Sequence, residues 1–202
     1  MILSCSNISK TFGTDQILSR VSFHIEEHER AAVVGINGAG KSTLFKIIAQ
    51  ELLPDEGGVA LSKGKTLGYL AQQQDISGSR TIFDELMEVK RPILELEERL
   101  RALELKMKSA AGPELDRLLE SYSRLDHEFE LQNGYAWKSE ITGVLKGLGF
   151  AEDEFSKPVR ELSGGQKTRV SLGKLLLSSP DIILLDEPTN HLDMESIAWL
   201  ET

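Results

Sequence analysis

The chain of 202 residues holds one cysteine, Cys5, which excludes a disulfide framework, a cysteine zinc site and an iron–sulfur cluster built within it. Long apolar runs are missing as well: stretches such as Ile182 to Leu185 are far too short to cross a bilayer. No charged start followed by an apolar stretch opens the chain, so no secretory signal is expected. A positive charge balance is also absent. The net charge of −9 argues against broad nucleic-acid binding through the overall field, although local charge departs from the average below. A soluble, reducing, cytoplasmic setting is the expectation that follows. What remains is ordinary globular composition, 40% hydrophobic and 27% charged, enough for one domain or two small ones.

The first third reads as short β-rich runs punctuated by turn residues. Ile2 to Ile8 and Ile17 to Ile25 are predicted strands around a Gly13-Thr14-Asp15 turn. Ala31 to Val34 is a short apolar run, read as a strand, that leads through glycine into a helix from about Lys41 to Glu51. Val59 to Leu61 and Thr66 to Ala71 follow as further strands. From Thr81 to about Gly149, Leu, Glu, Lys and Arg dominate. Leu94, Leu96, Leu100, Leu103 and Met107 share a helical spacing, as do Leu118, Leu119, Tyr122, Leu125 and Phe129. Gly112-Pro113 between them fits the turn of a helical hairpin; a plain helical subdomain with solvated charged faces is the alternative. After Asp153 the pattern returns to α/β, with a helix from about Gly164 to Leu177, a buried strand over Asp181 to Asp186 and a helix starting near Met194. The last residue, Thr202, falls inside that helical pattern, so the pattern is expected to continue past it.

Three motifs carry chemistry. Gly35-Ile-Asn37-Gly38-Ala39-Gly40-Lys41-Ser42 matches the P-loop, between a predicted strand and a predicted helix. Its glycines let backbone N–H groups turn towards phosphates, and the helix start adds positive potential. Lys41 should reach the β- and γ-phosphates, Ser42 should bind Mg²⁺, and Thr43 adds a phosphate contact. In Ile182-Ile-Leu-Leu-Asp186-Glu187, a buried strand presents Asp186 to the metal, and Glu187 is placed to polarise the attacking water. By itself that segment also fits a core strand ending in a solvated acidic turn. Leu162-Ser163-Gly164-Gly165-Gln166 opens a helix twenty positions before Asp186, where small residues let backbone N–H groups press onto a phosphate.

This third motif resembles the ABC signature sequence, and the order of all three resembles an ABC ATPase. The resemblance implies an α/β P-loop NTPase of ABC type: a mixed sheet core, an antiparallel β subdomain and an inserted α-helical hairpin. Residues 1–80 would form the first part of the ATP-binding core and residues 81–150 the helical subdomain, with its tip at about 105–114. Residues 151–202 would form the second part of the core. In this family the signature, here Ser163, Gly164, Gly165 and Gln166, caps the γ-phosphate of a nucleotide held by the opposite domain, so two ATP molecules lie in a head-to-tail dimer. Phe12 resembles the aromatic that stacks on adenine, against a core or turn role. Gln72 resembles the Q-loop glutamine that senses Mg²⁺ and water, an assignment that could slip by one to Gln73. Asp193, in Pro188-Thr-Asn-His-Leu-Asp193, resembles the D-loop residue that meets the partner domain. The family's switch histidine has no counterpart among His24, His28, His127 and His191. A protein of this length is therefore expected to bind nucleotide weakly and hydrolyse it poorly.

Within the family the chain is most similar to the ABC-F group. The long segment between Gln72 and Leu162, the run Leu184-Leu-Asp-Glu-Pro-Thr-Asn-His-Leu-Asp193, the following Ser196-Ile-Ala-Trp-Leu-Glu201, and Gly134-Tyr135 with Gly147-Leu-Gly-Phe150 carry that resemblance. It implies two ABC domains in one polypeptide without a membrane-spanning part. It also implies an ATP-bound form that acts on the ribosome, and a hairpin arm that touches ribosomal RNA and protein. Arg99, Arg101, Lys106 and Lys108 stand against Glu104 alone near the expected tip, which suits phosphate contact. A solvated face with pairs such as Glu97 and Arg101 is the alternative. An ATP-binding subunit of an ABC membrane transporter stays open as a second reading.

Overall fold

The computed structural model describes residues 1–71 and 78–188, which divide into two units, 1–71 with 179–188 and 78–178. In the first unit the alternating pattern of the N-terminal run produces β1 (Leu3–Phe12), which turns through Gly13-Thr14 into β2 (Asp15–Ile25). β3 (Glu56–Leu61) pairs antiparallel with the other side of β1, giving the order β2-β1-β3. Leu3, Cys5 and Ile8 of β1 bury against Leu44, Ile47 and Ile48 of helix α1 (Lys41–Ile48). Each such aliphatic side chain contributes about 1.5–3 kcal/mol by leaving water. Burial also pushes the Cys5 thiol up to about 11, so it packs as a small hydrophobe.

The same unit contains a parallel pair, β4 (Leu67–Leu70) with β5 (Ile182–Leu185), in the register Leu67↔Ile182 to Leu70↔Leu185. Asp181 sets that register. Its carboxylate accepts from the Thr66 N–H (2.8 Å), the Thr66 hydroxyl (3.0 Å) and Lys65 (3.0 Å), tying the two strand starts together.

One predicted strand does not form. Residues 31–36 have no regular structure, and Val34 is 91% exposed. A four-residue apolar run becomes a strand only when a neighbour supplies its backbone partners, and among the described residues no strand pairs with it. The first helix also ends at Ile48 rather than near Glu51.

The second unit comprises α2 (Ile82–Met87), α3 (Arg91–Met107), α4 (Pro113–Leu131), α5 (Trp137–Gly147) and α6 (Gly164–Leu177). Ile82, Leu86, Ile141, Leu145, Leu148, Val170 and Leu172 are fully buried there. The expected hairpin is α3 and α4, which run back on each other around residues 108–112. Pro92 and Pro113 stand in the first turns of the two helices, where a missing N–H costs nothing. Near the base, Ile93, Leu96, Leu100 and Phe129 are buried; further out, Tyr122 donates to Glu104 across the pair at 3.1 Å. The stripe on α4 is Leu115, Leu118, Tyr122, Leu125 and Phe129. Leu119, expected within it, lies on the flank of that stripe and is exposed. The helix predicted from Met194 lies outside the described residues.

Candidate nucleotide site

The loop that enters α1 takes its shape from its glycines. Gly40 caps the helix with φ 92°, and a Cβ there would stand 2.7 Å from the Cγ2 of Ile17. Both the backbone and the neighbour therefore require glycine. Lys41 turns back over the loop and donates to the carbonyls of Gly35 (2.9 Å) and Ile36 (3.1 Å). Its ammonium thus spans the loop's own concavity, and a phosphate entering there would exchange two neutral acceptors for charged oxygens.

An open hollow of about 430 Å³ forms beside this loop. It brings together Phe12, Asn37, Gly38, Gly40, Lys41, Ser42, Thr43 and Glu187, all singled out from the sequence, and adds Ile17. Phe12 is half-exposed rather than a core residue, with the Lys10 ammonium 5.7 Å from its ring centre. Gly35 and Ala39 belong to the same loop, where a Cβ on Gly35 would stand 3.3 Å from that of Ala39, but do not line the hollow. Ile17 carries no motif; the only signal for it is the tight turn after Phe12, which folds β2 back along β1.

Asp186 follows the last residue of β5 and is 4% exposed. Its N–H donates to the Leu70 carbonyl at 3.0 Å, extending the β4–β5 pairing by one bond. The Tyr69 hydroxyl donates to its Oδ2 at 3.4 Å. No Lys, Arg or His pairs with it among the described residues, although a buried carboxylate without a cation is costly. A hard divalent cation would relieve that cost. A Ser42 hydroxyl and one carboxylate, with phosphate oxygens, are a donor set that suits Mg²⁺. Glu187, next in the chain, lines the hollow with φ 53°, a backbone region that bulky residues seldom occupy.

In the other unit, Ser163 caps α6 reciprocally. Its hydroxyl accepts from the Gln166 N–H (3.3 Å), and its own N–H donates to the Gln166 side chain (3.1 Å). Ser163 and Gln166 thereby shape the helix start, while Gly164 and Gly165 occupy the first-turn positions whose N–H groups have no partner within a helix. Gln72, Gln73, His191 and Asp193 lie outside the described residues, and neither His24, His28 nor His127 lines the hollow.

On the hairpin, Arg101 pairs with Glu97, as the solvated-face reading anticipated for that residue. Arg99 and Lys106 instead line a groove of about 540 Å³ between α3 and α4, joined by Arg124, which the sequence reading did not single out because it lies 25 residues from Arg99.

Residues 18–190 match the family model described as ABC transporter. The chain is 46% identical over its whole length to the ATP-binding protein YdiF of Bacillus subtilis. Over 96% of its length it is 35% identical to ABC transporter F family member 5 of Arabidopsis thaliana. Over 98% it is 36% identical to the tylosin resistance ATP-binding protein TlrC of Streptomyces fradiae. It spans about a third of the length of these relatives, 31%, 29% and 36% respectively. Among solved structures, an ATP-binding subunit of an ABC transporter matches with a TM-score of 0.68 at 19% identity, covering 99% of this chain and 72% of that one. A dimeric ATP-binding cassette in a post-hydrolysis state with ADP and Pi matches at 0.64 and 24% identity, covering 98% and 79%.

Proposed function

Since the chain belongs to the ABC transporter family, we propose that it binds ATP with Mg²⁺ and hydrolyses it when closed against a second ABC domain. The observation that carries this reading is the single hollow shared by Phe12, Lys41, Ser42, Thr43 and Glu187. Phe12 and Ile17 offer an apolar edge for adenine. The backbone N–H groups of residues 38–43 and the Lys41 ammonium hold the phosphates. Ser42 and Asp186 hold Mg²⁺, which supplies charge neutralisation at the phosphoryl oxygens. Glu187 orients and polarises the attacking water, and Gln72 senses metal and water. Ser163, Gly164 and Gly165 close over the nucleotide of the partner domain, with Gln166 holding their helix start and Asp193 at the domain contact. A trans-acting loop of this kind stabilises transition-state charge, so one domain alone turns over poorly.

The finer reading is an ABC-F protein of the cytoplasm whose ATP-bound form engages the ribosome, in translation regulation or antibiotic protection. Support comes from relatives that include a protein of ABC transporter F name and one of tylosin resistance. It also comes from the exposed hairpin, whose groove carries Arg99, Lys106 and Arg124 on a chain of net charge −9. No helix among the described residues is long and apolar enough to cross a membrane. Co-sedimentation of the Glu187→Gln protein with ribosomes tests this reading. Retention that requires ATP and falls when Arg99, Lys106, Lys108 and Arg124 are neutralised is the expected result. No ATP-dependent retention contradicts it and directs the search to a membrane partner, as for a transporter subunit.

A further inference from the structure

The hydrolysis chemistry assigned to the nucleotide site leaves one polar contact without a role. Tyr69 stands on β4, opposite Leu184 of β5, and its hydroxyl donates to Oδ2 of the buried Asp186. Its ring meets Phe45 edge-on, with centroids 6.4 Å apart and planes at 65°. Phe45 lies three residues after Ser42 on α1, on the same side of the helix. One ring pair therefore links the helix carrying one expected Mg²⁺ ligand to the strand end carrying the other.

The chemistry of the donor matters. A lysine or arginine beside Asp186 would neutralise the carboxylate and compete with a cation for it. A phenol fixes the carboxylate's orientation and leaves its charge intact. A phenol is an O–H donor with an ordinary pKa of about 10, so it keeps its proton throughout the neutral range.

We infer that Tyr69 is a positioning residue for the metal-binding carboxylate, orienting Asp186 through its hydroxyl and spacing it from Ser42 through its ring. This rests on the reading of Asp186 as a Mg²⁺ ligand. Outer partners of metal ligands typically change metal affinity by about 10- to 100-fold when removed. At 3.4 Å this hydrogen bond is long, which places the effect at the lower end.

The test uses Mn²⁺ as a spectroscopic stand-in, titrated into the ATP-loaded Glu187→Gln protein, with free Mn²⁺ read by electron paramagnetic resonance. Tyr69→Phe keeps the ring and deletes the hydroxyl. It is expected to raise the Mn²⁺ concentration for half-saturation about 10-fold. The metal-free ATP affinity and the melting temperature should stay unchanged, a split that a purely structural role would not produce. Phe45→Leu keeps the hydroxyl but loosens the ring and should shift the same curve by about 3-fold, less than outright loss of the bond. Unmoved Mn²⁺ curves in both variants overturn the inference. So does a Tyr69→Phe protein that loses stability and metal-free ATP affinity together. Asp186→Asn separates the two levels. If it abolishes Mn²⁺ binding while Tyr69→Phe does nothing, only the role of Tyr69 falls. If Asp186→Asn leaves the curve unchanged, the metal reading falls and the inference with it.

Discussion

Gly40 shows how much a single position of the site is constrained. An alanine there would need φ 92° and would press on the Ile17 side chain at 2.7 Å. Gly40→Ala should therefore lower stability by about 1–3 kcal/mol and weaken ATP binding, both checked by thermal melts with and without nucleotide. Glu187→Gln leaves the hollow its shape and removes the carboxylate, so phosphate release measured with a second ABC domain present should fall about 10²- to 10⁴-fold while ATP affinity is kept. The motif residues were legible because their chemistry is written in consecutive positions. Ile17 and Tyr69 were not. Each acts through a contact made by strand pairing, across the Gly13-Thr14 turn in one case and between β4 and β5 in the other.

Between elements, Asp181 is the clearest link. Hydrogen bonds from the Thr66 backbone first, then from Lys65 and the Thr66 hydroxyl, hold its carboxyl down at about 2, against an ordinary value of 3.8. Because the folded value is the lower one, the contribution to stability is complete above pH 3.8 and is lost as the pH falls through about 2. The melting temperatures of the protein and of Asp181→Asn should thus differ most above pH 4 and converge towards pH 2. At the foot of the hairpin, a Cβ on Gly134 would enter the Phe129 ring at 2.4 Å. Gly134→Ala should cost about 1–3 kcal/mol through overpacking, read as a lower urea midpoint. The hairpin was legible because two helical stripes flank a Gly-Pro turn, whereas the absent strand at 31–34 was not. Apolar composition marks a run that could pair, but pairing depends on a partner strand, which no local pattern supplies.

For the molecule as a whole, charge is distributed against its average. A chain of net charge −9 places Arg99, Lys106 and Arg124 around one groove of the hairpin. Contact with a polyanion through such a patch should weaken as salt rises, with a slope set by the few cations involved. Ribosome retention of the ATP-loaded Glu187→Gln protein is accordingly expected to fall between 50 and 200 mM salt by roughly 10-fold or more. Neutralising the three groove residues should flatten that dependence.

Nucleotide binding by the Lys41→Ala protein, set beside that of the unaltered chain and of Glu187→Gln in the same calorimetric titration with ATP and Mg²⁺, tests the site most directly. Lys41→Ala is expected to lose binding by at least 10-fold, as removal of a charge-assisted phosphate contact should, while Glu187→Gln binds as the unaltered chain does. Undiminished ATP affinity in Lys41→Ala would contradict the assignment of this hollow as the phosphate site.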